Sequence, residues 1–339
     1  MPLRQPELRD SRSDGGLGRR VIVKTVVSDP FRFGLVVTAR TLHEQNPGLN
    51  IEYQVLYHDE LSPLAAEHQA WIASHVPRVT FVPVDLAPFT NIFRLRDEVF
   101  HTPRRLWAAF LILDAFRESD DGATVLCLDC DMLCVGPLGP EIFREQGFAA
   151  VEARSPSGMP LGFFNTGVMV LGHDHRGPVM FAKLMGISDT RAYVPSSGKA
   201  DQAVISLVLR PDAMNSLPAR YNVTKRQVGV TDVAGELAAR EAIFFHYVGT
   251  KPWSVSLDPR DRGGDEALAL WDETVARLFS PAEQIAYLDF FRNEARRDAM
   301  AHALGPLALA PSERRAVQLL RAMRTRFRPL LFWRRRDAG

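Results

Sequence analysis

Cysteine is scarce in this sequence, and the only three, Cys127, Cys130 and Cys134, crowd into one short stretch. That placement excludes a disulfide framework and fits a reducing compartment, with the cytoplasm as the default expectation. Long apolar runs are missing as well: none reaches the ~18 uncharged residues that a bilayer span requires. The first twenty residues carry Arg4, Glu7, Arg9, Asp10, Arg12 and Asp14 without an apolar stretch, so neither a secretory signal nor an N-terminal anchor is expected. An excess of one charge is lacking too. With 41 Lys plus Arg against 40 Asp plus Glu and 46% hydrophobic residues in 339, the chain is neither a disordered polyelectrolyte nor a basic nucleic-acid coat. The length allows one large domain with appendages or two small ones, and either can bury a sizeable core.

What charge there is lies unevenly. Residues 313 to 339 hold nine arginines against only Glu313 and Asp337, so the rest of the chain is net acidic, which argues against a nucleic-acid surface there. In residues 313 to 336 the arginines alternate with Leu319, Leu320, Phe327, Leu330, Leu331, Phe332 and Trp333. Such a basic, apolar mixture predicts peripheral attachment to an anionic membrane surface, with the protein on the cytoplasmic face; a solvated helical tail is the alternative.

Residues 1–19 lack periodicity and read as a disordered leader. From Val21 the sequence alternates short β-branched runs with helical patterns. RVIVKTVV is followed by a helix through Leu35, Val36, Ala39 and Leu42 that stops at Asn46-Pro47-Gly48. IEYQVLY, VTFVPV and ATVLCLD read as further strands. One helix opens at Ser62-Pro63, and another at Thr102-Pro103 with Leu106, Phe110, Leu113 and Phe116 on one face. Later strands are FAAVEA, FFNTGVMVL and AIFFHYV, with helices near 174–186 and 200–209. The alternation predicts an α/β fold with a mainly parallel, Rossmann-like mixed sheet flanked by helices, its ligands beyond the carboxyl ends of the strands after Val27 and Leu128. The domain expectation is a leader over 1–19, an α/β domain over 20–280, and a helical region over 281–339 ending in the basic tail.

The stretch TVLCLDCDMLCVGPL runs a buried-type strand straight into Asp129-Cys130-Asp131. Residues i and i+2 of an extended chain point the same way, so the two carboxylates converge and their repulsion calls for a cation. Mg²⁺ or Mn²⁺ would accept those oxygens and could hold nucleotide phosphates in its remaining positions; a solvated Asp-x-Asp turn is the alternative. Zinc on the three cysteines is disfavoured, because Cys130 faces away from Cys127 on a strand, and free buried thiols fit better.

LCLDCDMLCVGPL, FFNTGVMVLG, KADQAVISLVL, LPARYNV and FFHYVGTKPW stand in the order and character of the family 8 glycosyltransferases, the glycogenin-like and bacterial lipooligosaccharide galactosyltransferase-like enzymes. The chain resembles that family over about residues 21 to 255. The resemblance implies a GT-A fold, a UDP-sugar donor, Mn²⁺ ahead of Mg²⁺, and transfer of a hexose with retention to a saccharide or glycolipid acceptor. Glucose or galactose would be the sugar, and cell-surface polysaccharide or lipopolysaccharide assembly the setting.

By the same resemblance Asp129, Asp131 and His246 are the metal ligands. Lys251 would reach the donor diphosphate, with Gly249 admitting the backbone. Arg105, with Arg104 as the competing choice, would contact donor phosphate or sugar. Asn165, Asp201 and Gln202 would face the sugar and the catalytic side, and Asp29 the base. The sequence departs from the family pattern in three places. A single residue, Thr250, separates Gly249 from Lys251. Ala203 stands where a second acid is usual, and Ser28 and Pro30 replace common residues beside Asp29. Two other readings remain at the level of sequence. An inactive sugar-nucleotide or carbohydrate-binding protein could use the same fold. A sugar nucleotidyltransferase would need a glycine-rich loop after the first strand, where VVSDPFRFG offers one late glycine.

Overall fold

The computed structural model describes residues 19–119, 122–143, 147–155, 159–193, 200–209, 216–229, 231–249, 251–253 and 264–290. Residues 1–18 of the leader expected over 1–19, Thr250 and the tail over 313–336 lie outside them.

Seven strands form the main sheet in the order β3-β2-β1-β4-β7-β6-β8. They are β1 (Arg20–Val26), β2 (Asn50–Tyr57), β3 (Val79–Pro83), β4 (Thr124–Leu128), β6 (Phe148–Arg154), β7 (Pro160–Leu171) and β8 (Ser216–Leu217). β3, β2, β1 and β4 run parallel, as does β8 against β6, while β7 is antiparallel to β4 and β6. The mainly parallel mixed sheet expected from the strand–helix alternation is therefore present, and its order changes direction between β1 and β4, where an open α/β sheet leaves a crevice for a ligand. Two apolar clusters cover its faces. One holds Val23, Phe33, Val36, Leu126 and Tyr53, the other Ile22, Phe110, Val125, Met169 and Val204. Consecutive residues such as Ile22 and Val23 fall in opposite clusters, as the period-two pleat requires.

A second sheet has three short strands, β5 (Met132–Cys134), β10 (Phe244–His246) and β9 (Val223–Thr224), in the order β5-β10-β9. β5 is antiparallel to β10, and its other edge faces α1 (Arg32–Gln45). Asp131 O and Val135 N bond toward β10, to Tyr247 N at 3.0 Å and Ile243 O at 2.8 Å. The alternate residues bond the other way. Met132 N donates to Thr38 Oγ1 at 3.3 Å, Met132 O accepts from the same hydroxyl at 2.8 Å, and Cys134 N donates to Thr41 Oγ1 at 3.1 Å. Two buried helix hydroxyls thus complete the ladder of a strand too short to hold itself.

Helix α2 spans Ala66–His75 and begins later than Ser62-Pro63, because Ser62 to Ala65 fasten the turn after β1. Ser62 Oγ donates to Val27 O at 3.0 Å, and Asp29 N donates to Pro63 O at 2.9 Å. The remaining α-helices are α3 (Thr90–Glu98), α4 (Pro178–Met185), α5 (Asp201–Leu209), α6 (Val233–Ala239), α7 (Gly264–Leu278) and α8 (Pro281–Phe290). The helix opening after Pro103 is wound as 3₁₀ over Arg104–Phe116. With three residues per turn, Leu106, Ala109 and Ile112 fall on one line and face a cavity, whereas Phe110, Leu113 and Phe116 sit in the core. Leu106 packs against the same apolar cluster as Phe110, Leu113 and Phe116 and lines the cavity as well. α7 and α8 pack into the cluster of the first sheet face through Trp271, Val275, Tyr287 and Leu288, and Trp271 Nε1 donates to Tyr287 Oη at 2.7 Å.

Candidate active site

β4 ends at Leu128, and the chain turns through Asp129, Cys130 and Asp131 before entering β5. Asp129 N donates to Gly167 O of β7 at 2.9 Å, which fixes where the turn leaves the large sheet. The turn passes very close to α1 and is possible because Gly34 lacks a side chain: a Cβ there would stand 2.3 Å from Cys130 O and 2.4 Å from the ring of Trp253. His246 closes β10 beside it. Its Nε2 lies 3.3 Å from Asp129 Oδ2 and 3.4 Å from Asp131 Oδ1.

One ligand atom from each of Asp129, Asp131 and His246 lies within 4.8 Å of the others, the single such group among the described residues. Two carboxylates and one imidazole suit a hard or borderline divalent cation, Mn²⁺ or Mg²⁺. A further observation supports the fit. Asn222 Oδ1 lies 2.9 Å from His246 Nδ1, and both residues are buried. The amide oxygen accepts the Nδ1 proton, so Nε2 is the nitrogen turned toward the carboxylates, the orientation that a second ring hydrogen bond gives a metal-ligating histidine. Gly167 completes the packing, since a Cβ there would lie 2.5 Å from His246 Cε1.

The electrostatics follow from burial and neighbours. Burial would raise the Asp131 carboxyl, yet Lys251 and His246 outweigh it and hold the group well below the usual carboxylate range. Burial would lower His246, but Asp131 and Asp129 push it up to about 9. Lys251 Nζ donates to Asp131 Oδ2 and sits 5.9 Å from the ring centre of Phe31. Burial works against its charge, and Asp131 more than restores it. Asp129 is the exposed member of the cluster, its side chain 53% accessible against 3% for Asp131.

A cavity of about 250 Å³ opens in front of these groups, and it is lined by Asp129, Asn165, Asp201, Gln202, His246 and Lys251, with Leu106, Ala109 and Ile112 as its apolar wall. Gly249, at φ +78°, also lines it in a backbone conformation that favours glycine. Asn165 Oδ1 accepts from Gly167 N at 3.1 Å. Asp201 opens α5, and burial, opposed by a hydrogen bond from Thr166 and assisted by Asp129, raises its carboxyl to about 7. Ala200, just before it, is held at φ +56°, a strained conformation for alanine at the cavity wall. Ala203, where the family pattern has an acid, is packed in the apolar cluster with Val204 and Ile205.

Of the residues singled out by sequence, Asp129, Asn165, Asp201, Gln202, His246, Gly249 and Lys251 meet at this cavity, with Asp131 directly behind. Arg105 lies in the first turn of the 3₁₀ helix, next to Leu106 of the wall. Asp29 is not among the lining residues. Its Oδ1 accepts from Ala65 N at 2.9 Å and lies 2.6 Å from His68 Nδ1, so the carboxylate ties the turn after β1 to the residue before α2 and to the first turn of that helix. The three cysteines are buried and form no disulfide, Cys127 in one apolar cluster and Cys130 and Cys134 in the other. Among the described residues no helix is long and apolar enough to cross a membrane. Sequence reasoning missed Asn222, Gly167, Gly34, Thr38 and Thr41. A glycine inside the strand FFNTGVMVL was the available signal for one of them, because such a glycine marks close approach.

No protein-family model matches the sequence, and no curated protein does. Among solved structures, the galactosyltransferase LgtC in complex with donor and acceptor sugar analogues is similar at a TM-score of 0.52 and 17% identity, over 78% of this chain and 99% of that one. The bifunctional glycosyltransferase WbbM matches at a TM-score of 0.45 and 19% identity, over 71% of this chain and 48% of that one. GlyE of Streptococcus pneumoniae TIGR4 matches at 0.42 and 18%, over 73% and 59%. The likeness to LgtC, which extends over nearly all of that chain, matches the sheet order and flanking helices described above, and the fold of this protein is GT-A.

Proposed function

We propose that this protein is a metal-dependent, retaining glycosyltransferase that moves a hexose, glucose or galactose, from a UDP-sugar to a saccharide acceptor in cell-surface polysaccharide or lipopolysaccharide assembly. The observation that carries the proposal is the convergence of Asp129, Asp131 and His246 at the end of β4, on a GT-A sheet and at the mouth of a cavity lined by Asn165, Asp201 and Gln202. Those three ligands would hold Mn²⁺ ahead of Mg²⁺, and the ion would supply positive charge against the diphosphate of the leaving group. Lys251, which donates a hydrogen bond to Asp131, adds a second positive charge on the same side. Amide and carboxyl groups of Asn165, Gln202 and Asp201 suit sugar hydroxyls, because leaving any of them unpaired disfavours the wrong sugar. Arg105 is retained as a donor contact, and Asp29 as a contact to the base.

The test is incubation with UDP-glucose or UDP-galactose and Mn²⁺, following UDP release and then the mass of the extended acceptor. Activity that survives excess chelator would overturn the metal assignment, and an inverted product anomer by NMR would overturn retention. Residues 313–336 are proposed to attach the protein to an anionic membrane surface, each basic residue near the leaflet contributing about 1 kcal/mol. Removing them should release the protein from anionic liposomes without changing UDP-sugar hydrolysis; unchanged liposome binding would refute the attachment.

A further inference from the structure

Asp131 is shared. Its Oδ1 faces His246 Nε2 at 3.4 Å, on the side where the three ligand atoms converge, while its Oδ2 accepts from the Lys251 ammonium. A carboxylate that neutralises an ammonium has less charge to offer a divalent cation, and an ammonium held there repels the cation directly. Residues on either side of Lys251 are held by hydrogen bonds and ring contacts. Upstream, Tyr247 is pinned by its N–H to Asp131 O at 3.0 Å and by its hydroxyl to Ala267 O at 2.6 Å. Downstream, Trp253 packs on Gly34, on Phe31 at 5.6 Å between ring centres, and on Trp271 at 5.5 Å. The Lys251 side chain is 23% accessible and lines the cavity where a diphosphate would lie.

From this geometry we propose that Lys251 is an exchange cation: it pairs with Asp131 until a diphosphate draws it into the cavity, and its departure strengthens the hold of Asp131 on the divalent ion. The inference rests on the metal site of the proposed function and adds a consequence that ligation alone does not require. Metal and diphosphate are coupled through a protein side chain as well as through the bond between them. Coupling of this kind is reciprocal in binding free energy, so the factor by which diphosphate tightens metal equals the factor by which metal tightens diphosphate.

The experiment is a titration of the full-length protein with Mn²⁺, read by electron paramagnetic resonance of the free ion, alone and with saturating UDP. Wild type, Lys251→Met and Lys251→Arg are compared, and thermal melts establish that each is folded. Lys251→Met should bind Mn²⁺ without UDP more tightly than wild type, within the roughly 5- to 150-fold range usual for coupling between sites. UDP should then tighten Mn²⁺ by a smaller factor in Lys251→Met than in wild type. Lys251→Arg, which keeps the charge, should keep the weak Mn²⁺ binding of wild type even if Lys251→Met proves unstable. Equal or weaker Mn²⁺ binding by Lys251→Met, an unchanged UDP factor, or tight binding by Lys251→Arg would overturn the exchange while leaving the metal site standing. If no variant and no wild-type protein binds Mn²⁺ with or without UDP, the metal site itself fails and the exchange with it.

Discussion

The two sheets of this molecule are built by different means. The large sheet has strands of up to twelve residues, and its stability follows from apolar side chains such as Val23, Leu126, Val125 and Met169 on both faces. The small sheet has strands of two or three residues and carries the charge: Asp131 precedes β5, His246 ends β10, and buried Lys225 follows β9. Its order depends on hydroxyl and amide groups that reach in from α1 and from the turn before β9, namely Thr38, Thr41 and Asn222. The difference teaches that the frame and the site answer to different forces. Burial of area sets the frame, whereas point-to-point polar contacts set the positions of the charges, and those contacts have little redundancy.

The largest expected effect separates two acids of one motif. Asp131→Asn should bring metal-dependent turnover to background and also cost stability, about 3–5 kcal/mol, because it leaves Lys251 without its buried counter-charge. Asp129→Asn should abolish turnover equally while leaving the melting temperature near that of wild type, since that side chain is half exposed. Paired assays and thermal melts decide it. Equal losses of stability would erase the contrast between the rigid and the accessible ligand.

Next in size is Asp201, which lines the same cavity. Its carboxyl is raised to about 7 in the folded protein against an ordinary value of 3.8, chiefly by burial. A raised folded-state value means stability that is fully present below about pH 4 and is lost as pH rises through about 7. Asp201→Asn, which keeps the shape without the charge, should therefore be more stable than wild type at pH 8 and lack that loss, with a difference of up to roughly 4 kcal/mol. Urea titrations from pH 4 to 8 check it; parallel curves would show that the carboxyl is better solvated than its surroundings suggest.

Much of the frame was legible in the sequence, because runs such as RVIVKTVV and IEYQVLY carry their own period and their own stop signals. The Asp129, Asp131 and His246 cluster was legible for a different reason: two acids at i and i+2 after a buried strand left a cation site and a solvated turn both open, and the family order of the segments favoured the first and added His246. What could not be read lies in the small sheet and its supports. Strands β5 and β9, like β8 at the edge of the large sheet, are too short to show a period, and Thr38 and Thr41 look like ordinary helix residues until β5 is seen to lack a partner strand on the side of α1. Asn222 sits in LPARYNV, a segment already matched to the family, yet its bond to His246 spans a distance that sequence spacing does not encode. Asp29 was legible only by its place after β1; that Ala65 N and His68 hold its carboxylate spans a separation that sequence spacing does not encode either.

Asn222 gives the third prediction. Asn222→Ala removes the acceptor that orients His246 and should weaken Mn²⁺ binding about 10- to 100-fold, the usual effect of losing an outer hydrogen bond to a ligating histidine. Asn222→Asp restores an acceptor at the same place and should recover most of that affinity. Isothermal titration with Mn²⁺ distinguishes the cases. If alanine and aspartate behave alike, packing rather than the hydrogen bond positions the ring.

The smallest effect should come from the hydroxyls of α1. Thr38→Val keeps the shape of the side chain and deletes the group that serves both Met132 N and Met132 O, while Val36→Ala trims an apolar contact of the same helix against the large sheet. Each substitution should cost about 1–2 kcal/mol, the first by stranding buried backbone groups and the second by lost apolar burial. Their consequences for the site should differ, because only Thr38 fixes the strand that begins beside Asp131. Thr38→Val should therefore raise the Mn²⁺ concentration needed for half-maximal UDP release, whereas Val36→Ala should lower stability alone. An equal change in metal requirement for both variants would mean that the site senses global stability, and the separation between frame and charge-bearing sheet would not hold.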